Sequence, residues 1–351
     1  MDSQIKSTSY DLTLILNKLL EDKTYSYIAK EFNVAIGTIR RWIELQSIPK
    51  AYTFQLLKLA KIDINYSKFS YKEKDQFFTP DSTAEYCYIK FLEVLKLYKD
   101  YEKYTYIEPS AGNGSFLKIL PDDRRIGFDI EPKHKEIIKQ DYLDWKPNEN
   151  DNKKYVVIGN CPFGLRGQLA LKFINNSSKF ADYVCFILPQ LFESDGKGSP
   201  MKRVVGLNLI HSETLDTDFE SPNKKLIKVN CIFQIWSKFH KNNSYDIKKF
   251  ENENIKIYSL SNGDSPSTIR NKKMFYKCDI YIPSTCFGKD NMRYYDTFDT
   301  LPRQKGYGIV FLKDKEENLK KFKKIDWCNV AFLSTNSAYN IRSSQINNKF
   351  I

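Results

Sequence analysis

Apolar residues recur at helical spacing over residues 12–20 and again over Tyr25–Phe32, with a polar break at 21–23 between them. A further helix is expected around residues 34–42, with Val34, Ile39 and Trp42 on its buried side and Thr38, Arg40 and Arg41 outward. Ala29 is small where two helices must approach, and Asn33 suits a left-handed turn between them. Pro49 closes this unit, residues 51–62 read as one more helix, and the polar stretch 65–74 reads as a linker. From residue 76 to about 238 the rhythm changes. Short apolar runs at 104–107, 125–128, 155–158, 183–188 and 228–236 alternate with helix-like stretches, which predicts a mainly parallel α/β sheet. A polar, Asn-rich segment at 241–254 then leads into a basic, aromatic region of short strands and turns.

A chain of 351 residues has room for two or three domains. The division expected is 1–66 helical, 67–240 α/β, and 241–351 as a third unit. The net charge is +12, and residues 241–351 hold 20 Lys and Arg against 12 Asp and Glu, so most of the excess lies in the last third. A polyanionic partner is the natural inference, because cations that neutralise phosphates release counterions. With 23 Tyr and 24 Phe the chain is rich in rings that can stack on bases, although core filling is the ordinary use of each. Seven scattered cysteines without a CxxC pair, and only three histidines, argue against zinc or a disulfide framework. No signal-peptide core opens the chain and no membrane-length apolar run occurs, so an intracellular, cytoplasmic or nucleoid-associated protein is expected.

The expected strand ends carry the chemistry. The first runs into Glu108-Pro109-Ser110-Ala111-Gly112-Asn113-Gly114, where small residues permit a tight turn and close approach of backbone to a cofactor, with a helix expected next. Asp129 ends the second, in Phe128-Asp129-Ile130-Glu131, where a carboxylate can accept from both ribose hydroxyls. Asp141-Tyr142 follows near the end of the third. The fourth ends in Asn160-Cys161-Pro162-Phe163. Its Asn carbonyl, and the Cys161 carbonyl held by the restricted conformation before Pro162, can each accept one N–H of an amino group. Two such acceptors draw the nitrogen lone pair out of conjugation, and Phe163 offers a ring for stacking a base. Each piece alone has a plainer reading: a cap or loop acid for Asp129 and Asp141, and a turn for 160–163; Phe233, within the apolar run at 228–236, could face a base but reads first as core.

Together these pieces resemble the amino-group DNA methyltransferases, whose motif is an Asp, Asn or Ser, a residue that is usually Pro, Pro, and an aromatic. Asp75-Gln76-Phe77-Phe78-Thr79-Pro80 is similar to the segment that precedes the cofactor loop in that family, and the order of the pieces is similar to its γ group. The resemblance covers residues 75–238. It implies a Rossmann-like S-adenosylmethionine-dependent methyltransferase core with a target-recognition domain at the C-terminus, in 241–351; the helices of 1–66 resemble a helix-turn-helix, an addition to that family's core. It also implies S-adenosylmethionine as cofactor, held by Phe78, Thr79, Pro80, Glu108, Pro109, Ala111, Gly112, Asp129, Ile130, Asp141 and Tyr142. Asn160, Cys161, Pro162 and Phe163 would hold the target base, with Phe233 stacking on it from the other side. Thr38, Arg40 and Arg41 would touch double-stranded DNA. The expected reaction is direct methyl transfer to N6 of adenine in a flipped-out base. Cytosine N4, an RNA or protein-glutamine substrate, a catalytically inactive DNA-binding regulator, and a small helical bundle without DNA contact in 1–66 stay open. A cognate restriction endonuclease is a further partner the resemblance admits. Cys161 departs from the usual Pro. It also precedes Pro162, the reverse of the Pro-Cys order of C5-cytosine enzymes, so a backbone role is expected of it and not a thiol one.

Overall fold

The computed structural model describes residues 10–148, 150–194, 199–245, 252–261, 269–298, 301, 305–333 and 338–350. Its N-terminal part is helical: α1 (Leu12–Asp22), α2 (Tyr25–Phe32), α3 (Ile36–Glu44) and α4 (Thr53–Leu59). Asp11 and Thr24 cap α1 and α2 by accepting from Leu14 and Tyr27 amides, satisfying groups that a helix start leaves open. Asn33 follows α2 at φ 51°, in the left-handed region, and turns the chain into α3. Leu16, Ile28, Ile39, Trp42 and Leu56 pack into one apolar cluster, leaving Arg40 and Arg41 exposed and Thr38 half-buried.

Next come α5 (Asp81–Leu97), β1 (Tyr104–Glu108), β2 (Arg125–Asp129), β3 (Ile137–Lys139), β4 (Lys154–Asn160), α6 (Gln168–Ser177), β5 (Tyr183–Pro189), β6 (Asn208–Leu215), β7 (Asp218–Glu220), β8 (Leu226–Lys228) and β9 (Cys231–Ser237). Seven strands form one sheet in the order β3-β2-β1-β4-β5-β9-β6. The first five are parallel, and β9 runs antiparallel to both neighbours. This is the expected Rossmann-like α/β core. Its strand order reverses between β1 and β4, and that reversal opens a crevice beyond their carboxyl ends. Helix α5 presents Ala84, Cys87, Phe91, Val94 and Leu95 to one face of the sheet, and α6 presents Ala170, Leu171, Phe173 and Ile174 to the other. Covered on both sides, β1, β5 and β9 are buried at every position.

Two expectations fail locally. No α-helix follows the glycine loop; residues 117–119 and 122–124 make only single 3₁₀ turns. The Leu117 amide, which a helix would leave for its own first turn, is taken by the Glu108 carboxylate at 2.6 Å, and Pro121 stops any extension. The run expected at 228–236 is two strands, because Val229-Asn230 breaks it and β8 pairs with β7 outside the main sheet.

The last part forms β10 (Ile255–Leu260), β11 (Ile280–Pro283), β12 (Thr285–Phe287), β13 (Gly306–Phe311), α7 (Lys315–Lys324), α8 (Trp327–Val330), β14 (Phe332–Leu333), β15 (Ala338–Asn340) and α9 (Ser343–Asn347). Two antiparallel three-stranded sheets result, β10-β13-β11 and β12-β15-β14. Of the polar segment expected at 241–254, residues 246–251 lie outside the described residues. Among the described residues no helix is long and apolar enough to cross a membrane.

Candidate active site

A cavity of about 670 Å³ lies beyond the carboxyl ends of β1, β2 and β4, within the range of small-molecule sites. Ser110 and Gly112 after β1, Asp129 to Glu131 at the end of β2, and Asn160 to Leu165 after β4 line it. Its remaining walls come from outside the sheet. Lys50, Ala51, Thr53 and Phe54 belong to the helical part, residues 69 and 72–78 to the segment read as a linker and its continuation, residues 219 and 227–230 to β7, β8 and the link into β9, and Leu333 to the C-terminal part.

The loop after β1 is held from beneath. Gly112 sits at φ +52°, and a Cβ there would lie 3.1 Å from the Phe78 ring, so the position needs glycine twice over. Its N–H donates to Asp129 at 2.8 Å, and the Glu131 N–H donates to the other Asp129 oxygen at 2.7 Å. Burial pushes the Asp129 carboxyl above the usual range, while those two N–H groups favour its charged form. Ser110 donates to the Asn160 carbonyl at 3.0 Å, tying the ends of β1 and β4 together across the crevice.

The residues after β4 are placed as a unit. Asn160 is partly exposed and lines the cavity, and no hydrogen bond to its side-chain amide is found among the described residues. Cys161 is 1% exposed, and burial, with the nearby Asp75 charge, pushes its thiol well above the ordinary value, so a thiolate nucleophile is disfavoured. Phe163 joins the apolar cluster under α5 and also forms part of the cavity wall. Its N–H and that of Gly164 both donate to one oxygen of Asp75, at 2.6 and 2.8 Å. Lys74, next in the chain, pairs with Glu131 at 2.7 Å with both side chains largely buried.

Other residues singled out in the sequence lie elsewhere. Glu108 is not on the cavity wall. It is 3% exposed, accepts from the Leu117 amide, and burial pushes its carboxyl up to about 8. Pro109 and Ala111 are buried behind the loop, while Ile130 is 37% exposed at the rim. Phe78 lines the cavity, the Thr79 carbonyl accepts from Ser115 at 2.7 Å, and Pro80 precedes α5. Asp141 accepts from its own turn at Leu143 and pairs with Lys58 of α4 at 2.7 Å. Burial lowers the Lys58 pKa, but Asp141 and Asp144 outweigh it and the net shift is upward.

Two aromatic expectations are corrected. Tyr142 is 1% exposed, its hydroxyl bonded to Ser177 beneath α6, so it has no face for a cofactor ring. Phe233 is fully buried in the cluster under α5, because β9 is an interior strand covered on both faces. It cannot stack on a base. Lys58, Lys74 and Asp75 were not singled out as site residues. Asp75 opens the segment 75–80 and Lys74 precedes it, but their partners are 57 and 88 residues away, and no local spacing signals such a contact. No group of three His, Cys, Asp or Glu among the described residues is placed to hold a metal ion.

No family model matches the chain, and no curated protein matches it. Solved structures do. A protein of Pyrococcus horikoshii described as an RNA methyltransferase matches at 19% identity and TM-score 0.34, over 46% of this chain and 86% of its own. Magnesium protoporphyrin IX methyltransferase of Synechocystis PCC 6803, with bound S-adenosylmethionine, matches at 10% and 0.32, over 66% and 99%. A type IIL restriction-modification enzyme in complex with DNA matches at 11% and 0.36, over 78% and 58%. At these scores the likenesses carry no argument about chemistry, and the fold stands on its own strand order.

Proposed function

We propose that the cavity binds S-adenosylmethionine and that the protein methylates an exocyclic amino group of a nucleic-acid base, adenine N6 in duplex DNA before the alternatives. One observation carries the reading. A single cavity at the switch point brings together the Gly112 loop, the Asp129 carboxylate and Asn160-Cys161-Pro162-Phe163. The residues fit the cofactor. Gly112 leaves room for backbone to approach it, Asp129 is an acceptor already braced by two N–H groups, and the volume suits a ligand of that size. Bound there, S-adenosylmethionine would supply an electrophilic methyl group on sulfur.

The chain's own residues supply position. Asp129 would accept from the ribose hydroxyls and Ile130 would cover the adenine edge. The Asn160 side-chain oxygen and the Cys161 carbonyl would accept the two N–H bonds of the target amine, aiming its lone pair outward. Phe163 would form the wall the base rests on. No covalent intermediate on the enzyme is needed, so holding the amine in line is where catalysis arises. The amine proton would leave to water.

Duplex DNA is favoured by the exposed Arg40 and Arg41 on α3 and by the basic C-terminal third. On this reading residues 1–66 are a helix-turn-helix domain, 67–240 the catalytic domain and 241–351 the target-recognition domain. Calorimetry with S-adenosylmethionine tests the cofactor site: Asp129→Ala should weaken binding by about 100-fold, the loss of charged acceptors for two hydroxyls. Equal affinity of a folded Asp129→Ala protein would place the cofactor elsewhere.

A further inference from the structure

Among the described residues, Asp75 is the acid of the cavity wall whose carboxylate bonds to the segment after β4. Its Oδ2 accepts from two successive backbone N–H groups, Phe163 at 2.6 Å and Gly164 at 2.8 Å. Such a pair of converging N–H groups forms an anion-holding nest, and bonds to a charged acceptor are the stronger kind. The chain turns sharply there. Gly164 lies at φ +64°, and a Cβ on it would meet the Leu169 Cβ at 2.7 Å. Asp75 itself adopts φ 54°, in the left-handed region that glycine enters freely and Asp tolerates at a small cost. The backbone there would accept glycine, and the residue present adds a carboxylate that both amides use.

The surroundings give the carboxylate a task. Pro162 biases Cys161 toward extended backbone, but Cys161 lacks the ring that would lock its own φ, so the two Asp75 bonds add a hold at this segment. The neighbour of Asp75 reaches the opposite side of the crevice, through the Lys74–Glu131 ion pair beyond β2. Further along, Phe78 exchanges both backbone hydrogen bonds with Glu220 of β7, and Thr79 accepts from Ser115. Residues 74–79 are thus fastened to the ends of β2 and β4, to the glycine loop and to β7. Asp75 is the fastening at the segment that carries Asn160.

We propose that Asp75 is a positioning residue: its carboxylate clamps the Phe163 and Gly164 amides and so fixes Asn160 and the Cys161 carbonyl for in-line attack. The catalytic part of this inference rests on the function proposed above, but the clamp does not. Asp75→Gly removes the carboxylate and relieves the positive φ, which offsets part of the cost of the two lost acceptor bonds; circular dichroism and a thermal melt establish that it folds before it is compared. Asp75→Asn keeps an oxygen that can accept both N–H groups but lacks the charge.

The test is hydrogen exchange read on a peptide spanning residues 160–167, beside steady-state methylation of duplex DNA. In Asp75→Gly, exchange at 163 and 164 should quicken at least about tenfold, the opening expected when both acceptor bonds are lost. Its kcat should fall about 100-fold, the cost of a misplaced reacting group, while the DNA KM and cofactor affinity stay within about threefold. Asp75→Asn should lie between the two proteins in both readouts. Unchanged exchange at 163 and 164, or a kcat that survives faster exchange, overturns the proposal. If the parent methylates no nucleic acid the functional reading fails, and the exchange result still decides whether the clamp exists.

Discussion

Glu108 ends β1 with its carboxylate 3% exposed and bonded to the Leu117 amide, and burial raises its pKa from 4.5 to about 8. Between those values the folded protein holds a proton that the unfolded chain has released. Stability therefore falls as pH rises through that window, and it is fullest on the acid side. Glu108→Gln keeps an acceptor for the amide and removes the charge. It should be more stable than the parent at pH 8, by about 4 kcal/mol at most, and equal to it near pH 4.5. Urea denaturation of both proteins across that range checks the sign. Gly112 is a second case, since a side chain there would sit at φ +52° with its Cβ 3.1 Å from the Phe78 ring, which would have to shift. Gly112→Ala should destabilise the fold by about 1 kcal/mol. It should also weaken cofactor binding about tenfold, because the loop must withdraw from the cavity; calorimetry reads that second effect.

At the scale of elements, the five apolar runs of the sequence mark β1, β2, β4, β5 and β9, and the helical periodicity marks α1 to α4. Those elements are legible because each buries a regular stripe or a continuous run. The edge strand β6, Asn208–Leu215, is not legible. Only Ile210 and Leu215 are buried in it, and a bulge between Leu209 and His211 breaks its alternation. The missing helix after the glycine loop and the buried rings of Tyr142 and Phe233 share one cause. In each case a distant partner (Glu108, Ser177, or the cover on both faces of β9) decides what local pattern leaves open. Asn160, Gly112 and Asp129 are legible because strand ends and small-residue loops have a local signature; the contact of Asp75 with the Phe163 and Gly164 amides has none. Helix α3 carries the element-scale prediction. Arg40→Ala with Arg41→Ala should weaken duplex binding uniformly across sequences and lower the salt slope by about two, with methylation intact at saturating DNA. Fluorescence anisotropy at several salt concentrations measures this, and an unchanged slope would leave α1 to α4 as a structural bundle.

Over the whole molecule, the cavity belongs to no single part of the chain. Lys50 to Phe54 come from the helical part, residues 72–78 from the segment after it, and Leu333 from the C-terminal part. Lys58 of α4 reaches Asp141 and Asp144 beyond β3, and Asn33, at the turn into α3, donates to Gln168 at the start of α6 at 2.6 Å. The turn that would present α3 to DNA is therefore in contact with the helix that directly follows Asn160-Cys161-Pro162-Phe163. On the proposed function, DNA gripped by the helical part is also DNA held at the mouth of the site. The most direct test of that function is mass spectrometry of nucleosides from mixed-sequence duplex DNA, after incubation with S-adenosylmethionine and either the parent or Asn160→Ala. The account predicts N6-methyladenine with the parent and none with Asn160→Ala; no methylated nucleoside from a parent that binds the cofactor would contradict it.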